Sequence, residues 1–88
     1  MRYRVIISPA VQRQLRRITV SDRRRLEETL YRLADDPRPA ASRKLRGYTG
    51  VWRIRVGRYR VIYEVLEEEV VIVILRVAAR DDATYRGL

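Results

Sequence analysis

The sequence contains no cysteine and no histidine. Disulfide staples and thiolate nucleophiles are therefore excluded, as are the imidazoles that serve most zinc sites and many hydrolases. A metal would have to be held by carboxylates alone, so neither a metal nor any other cofactor is expected. Long apolar runs are missing too. The longest, Val70 to Leu75, is far too short to cross a bilayer. Met1-Arg2-Tyr3-Arg4-Val5 has nothing resembling the apolar core of a signal peptide, and a soluble, cytoplasmic protein is the expectation. No glycine-rich phosphate loop and no Ser/His/Asp set occurs. Lysine is nearly absent: of 20 cations, only Lys44 is lysine.

What remains is short, apolar enough to fold, and basic. Eighty-eight residues make a single domain spanning 1–88, and a hydrophobic fraction of 47% can supply its core. The formal charge is +9, which favours a polyanionic partner, either nucleic acid or an acidic protein. A genome that prefers arginine codons accounts for arginine over lysine, but not for the surplus of cations over acids. Guanidinium also suits planar, bidentate recognition of phosphate or carboxylate.

The chain reads as one strand, two helices and three strands. Tyr3 to Ile7 is a short strand. Ser8-Pro9 then starts a helix, with serine as N-cap and proline in the first turn, and Val11, Leu15 and Ile18 give residues 9–17 an apolar stripe. Thr19 or Ser21 caps a second helix carrying Leu26, Leu30 and Leu33, which Asp35-Asp36-Pro37 ends. Residues 37–50 are a loop. Three strands follow: Val51 to Val56, Tyr59 to Leu66 and Val70 to Val77, with Gly57-Arg58 as a two-residue turn and Glu67-Glu68-Glu69 as a solvated turn. The expected fold is α+β in two layers, with a helical hairpin on one face of a four-stranded sheet of order 2-3-4-1. The hairpin is expected to return the chain so that the first strand lies antiparallel to the last.

A turn at Gly57-Arg58 sets Arg55 opposite Arg60 and Trp52 opposite Tyr63. The period of two then sorts the side chains. Trp52, Ile54, Val56, Tyr59, Val61 and Tyr63 face the helices, while Arg53, Arg55 and Arg60 share the other face. An odd turn at 67–69 brings Arg76 and Arg80 to that face as well. Like charges directly across strands are unfavourable, so the cluster reads either as a solvated outer face or as an anion site. Tyr3, Tyr31, Tyr59 and Tyr63 are expected to serve packing.

Three stretches, Lys44-Leu45-Arg46-Gly47, Trp52 to Tyr63 (WRIRVGRYRVIY) and Val77-Ala78-Ala79-Arg80 with Tyr85-Arg86, together with the element order, resemble the RelE/ParE superfamily of bacterial toxin–antitoxin toxins over nearly the whole chain. The RelE branch cleaves mRNA in the ribosomal A site, and the ParE branch inhibits DNA gyrase. The resemblance implies catalytic roles for Arg53, Arg55, Arg60, Arg80 and Tyr85, with Arg60 and Arg80 on the phosphoryl oxygens and Tyr85 as the acid/base. It implies RNA contacts from Lys44, Arg46, Arg58, Arg76 and Arg86, and a cognate antitoxin, the ribosome and mRNA as partners. Three positions depart from the RelE pattern: Arg53 and Arg55 stand where lysines occur in the best-known RelE, and Ala79 where many relatives have histidine. A gyrase inhibitor, or a non-catalytic module binding RNA or an antitoxin, therefore stays open.

Overall fold

The computed structural model describes residues 2–79. Strand β1 (Arg4–Ile7) leads into helix α1 (Pro9–Arg16) and then helix α2 (Val20–Leu33). Strands β2 (Arg43–Lys44), β3 (Val51–Val56), β4 (Tyr59–Leu66) and β5 (Val71–Ala79) complete a sheet of order β1-β5-β4-β3-β2. Helix starts follow local chemistry. The Ser8 hydroxyl accepts from the Val11 N–H at 3.2 Å, with Pro9 in the first turn, and the Thr19 hydroxyl accepts from the Asp22 N–H at 3.3 Å. Each bond satisfies an N–H that a helix start leaves without a partner.

The core lies between the helices and one face of the sheet. Val11, Leu15, Leu26, Leu30 and Leu33 meet Ile54, Val56, Val61, Tyr63, Ile72 and Ile74 there. Tyr63 is fully buried, and its hydroxyl donates to the Pro37 carbonyl at 2.7 Å; burial raises its pKa above the ordinary phenol value. Tyr3, Trp52 and Tyr59 pack at the margin of the same core. Tyr31 packs at the edge and not in the core: it is 62% exposed, and the Arg2 guanidinium lies 4.5 Å from its ring centroid.

Two features of the sheet differ from expectation. The stretch 37–50 contains a fifth strand, β2, whose two residues pair with Trp52 and Arg53; a strand of two residues leaves no alternation to read. The second difference is direction, since β1 runs parallel to β5, with Ile7 beside Ile74. The length of α1 explains it. Eight residues span about 12 Å, and α1 stays near the end of the sheet where β1 finishes: the Val77 N–H donates to the Gln14 side-chain oxygen at 3.1 Å, three residues past the partner of Ile7. Only α2, about 21 Å long, makes the return, and the Tyr3 N–H donates to the Ala34 carbonyl at 2.7 Å. The chain thus enters β3 from the end at which β1 begins, and three alternating strands leave β5 parallel to β1.

The β4–β5 connection has four residues, not three, because Leu66 pairs with Val71. Regular pairing from that turn would aim Arg76 into the core and Val77 away from it. A bulge corrects this: Tyr63 pairs with Ile74 and Ile62 with Arg76, so Leu75 is the extra residue. It is 40% exposed. The parity expected for Arg76 is therefore reached by a different route.

A candidate polyanion-binding face

The β3–β4 pairing has the register that a Gly57-Arg58 turn requires: Val56 opposite Tyr59, Arg55 opposite Arg60, Ile54 opposite Val61, Arg53 opposite Ile62 and Trp52 opposite Tyr63. Gly57 has φ +60, which an L side chain rarely adopts and glycine does readily. The helices cover the face bearing Ile54, Val56, Val61 and Tyr63. Residues directly opposite share a face, so Arg53, Arg55, Arg60 and Arg76 stand together on the other one.

They form two rows. Nearer the turn, Arg55, Arg60 and Ala78 lie side by side across β3, β4 and β5. The next row carries Arg43, Arg53, Ile62 and Arg76 across β2 to β5. Directly opposed Cβ atoms are roughly 4.5–5.5 Å apart, so Arg55 and Arg60 leave the sheet side by side, as do Arg43 and Arg53, with Arg76 one strand further on beyond Ile62. Arg55 is exposed, and Arg53, Arg60 and Arg76 are half-buried. Ile62 is 3% exposed, which places an apolar floor in the middle of the arginines. The Arg60 Nε is closed off from solvent. Such a surface offers several planar donor forks to one anion.

Arg43 was not a sequence candidate. A two-residue strand gives no sequence signal of its own, and only the pairing with Arg53 reveals its position. Its Nη1 donates to the carbonyls of Ala40 and Ser42, both at 2.8 Å, which fixes the side chain against the loop. Arg58 occupies the turn, with its guanidinium 5.8 Å from the Tyr59 ring centroid. Lys44 and Arg46 are not brought to the arginine rows. Lys44 lies opposite Trp52, on the helix side, and Arg46 belongs to the β2–β3 connection, at the far end of β3 from Arg58. Arg80, Tyr85 and Arg86 lie outside the described residues. Ala79 closes β5 opposite Tyr59.

Charge is unevenly distributed along the strand axis. Around the β3–β4 turn stand Arg55, Arg58 and Arg60, together with six arginines of the helices between Arg13 and Arg25, against one carboxylate among the described residues, Asp22. The Asp22 Oδ2 accepts from the Tyr59 hydroxyl at 3.2 Å. Over the rest of the described chain, cations and carboxylates nearly balance. At the opposite end, Glu67 takes a 2.6 Å ion pair from Arg38 and a 2.9 Å hydrogen bond from the Tyr3 hydroxyl. These two donors hold the Glu67 carboxyl below the usual carboxylate range. The same hydrogen bond, with burial second, raises the Tyr3 phenol.

A helical pair on one face of a mainly antiparallel sheet, with arginine rows on the open face, defines a RelE/ParE-type toxin fold. Residues 5–83 match the family model for the ParE toxin of type II toxin–antitoxin systems, parDE, and the chain belongs to that family. Within the superfamily it stands with the RelE toxins. A protein of Methanocaldococcus jannaschii described as a candidate RelE1 toxin is 29% identical over 86 residues, which cover 94% of this chain and 96% of the relative. The RelE–RelB complex of Pyrococcus horikoshii contains a chain of 35% identity, with TM-score 0.83 over 94% of this chain and all of that one. The RelBE2 toxin–antitoxin complex of Mycobacterium tuberculosis gives 27% identity and TM-score 0.80 over 91% of this chain and all of that one. No helix among the described residues is long and apolar enough to cross a membrane.

Proposed function

We propose that this toxin is a ribosome-dependent endoribonuclease that cuts mRNA in the A site and so stops translation. The observation that carries the reading is the pair of guanidinium rows on the open sheet face. Cleavage by internal attack requires the 2′-OH to lose a proton, the phosphorane to be stabilised and the leaving 5′-oxygen to gain a proton. Positioned guanidiniums meet the second requirement through bidentate hydrogen bonds to the phosphoryl oxygens. Arg60, with Arg53 and Arg55, supplies them from the sheet, and Arg80 joins them. Arg76 and Arg58 hold the strand on either side, with Lys44, Arg46 and Arg86 as outer contacts. Arginine does not give up a proton at neutral pH, so acid/base work falls to Tyr85. The ribosome supplies the in-line geometry, a contribution of positioning that a domain of this size need not make itself. A cognate antitoxin is proposed by analogy with the Pyrococcus and Mycobacterium complexes, and an acidic partner segment suits a +9 chain.

The matched family model, named for ParE, favours a second reading, inhibition of DNA gyrase without nuclease chemistry. One experiment separates the two. The purified chain is added to a cell-free translation reaction with a defined mRNA, and 5′ ends are mapped by primer extension beside naked mRNA. Cuts at A-site codons only when ribosomes are present support the nuclease. Intact mRNA, with gyrase supercoiling blocked in a parallel assay, selects the alternative.

A further inference from the structure

The arginine rows leave one concentration of charge unused. α1 ends, and α2 begins, with Arg13, Arg16, Arg17, Arg23, Arg24 and Arg25, and among the residues between Pro9 and Leu26 the only carboxylate is Asp22, engaged by the Tyr59 hydroxyl. All but Arg23 are exposed, and none of the six pairs with a described carboxylate. Arg13 and Arg16 lie in the last turn of α1, where the helix dipole favours cations, but the crowding itself is unfavourable. Arg13 meets Arg16 and Arg17 at spacings of three and four, where like charges repel. Arg23, Arg24 and Arg25 crowd the start of α2, the end at which the helix dipole disfavours cations.

The corner is continuous with the sheet site. A Cβ on residue 57 would stand 3.2 Å from the Arg25 Nη1, so the Arg25 guanidinium lies against the β3–β4 turn, beside Arg58. The basic surface therefore wraps from the arginine rows over the turn and onto the helices. Of the large apolar side chains among the described residues, only Val20 is exposed there, at 61%. The centres of protein–protein interfaces are depleted of charge, whereas this corner is dense with it. Nucleic-acid interfaces are polar and strongly positive.

We propose that the α1–α2 corner, through Arg13, Arg16, Arg17, Arg24 and Arg25, is a second RNA-binding surface that grips the phosphate backbone of a duplex while the sheet face holds the strand to be cut. The choice of RNA as the polyanion rests on the nuclease reading. The surface itself is tested without any cleavage.

The test measures binding of the full chain to a labelled 20-base-pair RNA duplex and to 70S ribosomes across a range of salt concentrations. The variants are Arg16→Gln/Arg17→Gln/Arg24→Gln and the charge-preserving Arg16→Lys/Arg17→Lys/Arg24→Lys. The glutamine variant is expected to bind the duplex roughly 10- to 100-fold more weakly and to lower the slope of log affinity against log salt by about 2–3, close to one unit for each phosphate no longer neutralised. The lysine variant is expected to keep most of both. Duplex affinity and slope unchanged within twofold in the glutamine variant, or no duplex binding by the wild type, overturn the proposal. The translation assay runs in parallel. Cleavage that persists while the corner proves inert sinks this inference alone. A corner-dependent salt slope without any cleavage sinks the nuclease reading and leaves the surface standing.

Discussion

Arg55 and Arg60 face each other directly across the β3–β4 pair, where like charges cost stability. A chain selected for stability alone would place an acid or a threonine at one of the two positions. Arg55→Glu is therefore expected to move two properties in opposite directions. Unfolding in urea should show a gain of about 0.2–1 kcal/mol from the new cross-strand pair, while A-site cleavage should fall by at least about 100-fold, the scale of losing one preorganised donor. A loss of stability together with full activity would show that the rows are only a solvated surface. Val70 is a second residue at odds with stability. Its φ is 55, a left-handed conformation that costs a β-branched side chain about 1–2 kcal/mol. Its carbonyl accepts from the Arg4 N–H at 3.0 Å, which ties the turn to β1. Val70→Asn is expected to raise stability by about 1 kcal/mol, measurable as a higher urea midpoint at unchanged slope.

At the scale of elements, the β3–β4 hairpin was legible because one turn sets its register and the alternation of Trp52, Ile54 and Val56 with Arg53 and Arg55 then fixes both faces. The direction of β1 was not legible. It depends on α1 being too short to return the chain, whereas periodicity reports that a helix exists and not where it carries the chain. The bulge escaped too, because Val70 to Leu75 is apolar throughout and such a run has no alternation to reveal an extra residue. Its position makes a sharp prediction. Deleting Leu75 leaves Ile62 opposite Arg76 and should give a folded protein with a cooperative thermal transition. Deleting Ile72, in the regular part of the same strand, shifts the register by one and should abolish folding. The Tyr3–Glu67–Arg38 cluster joins β1, the β4–β5 turn and the loop after α2, and its titration has a definite sign. The lowered carboxyl of Glu67 contributes stability above its unfolded-state pKa, lost as pH falls through its folded value. The raised phenol of Tyr3 contributes stability below its unfolded-state pKa, lost as pH rises through its folded value. The gap in urea midpoint between wild type and Tyr3→Phe should therefore be widest between roughly pH 5 and 9 and close toward both extremes.

At the scale of the whole molecule, composition sets the sum of charge and the fold sets its placement. The sum announced a polyanion partner, but only the packing of α2 against the β3–β4 turn gathers arginines from distant stretches onto one end. Arg53, Arg55 and Arg60 were legible as a group from alternation, whereas Arg76 was placed with them by an odd turn that the structure replaces with a four-residue turn and a bulge. The helical arginines gave no such signal, and it is Arg25 against Gly57 that joins them to the rows. With charge so placed, ribosome binding should weaken steeply as salt rises from 50 to 200 mM, and substitutions at the nearly balanced end should leave that dependence unchanged. The same lopsidedness bears on how the chain meets its target. In the field of a nucleic acid it behaves as a compass needle, turned by torque before contact so that the Gly57-Arg58 tip arrives first. Fewer collisions are then wasted on the wrong orientation, and capture becomes fast, which on the proposed nuclease reading suits a target that exists only for the moments a codon waits in the A site.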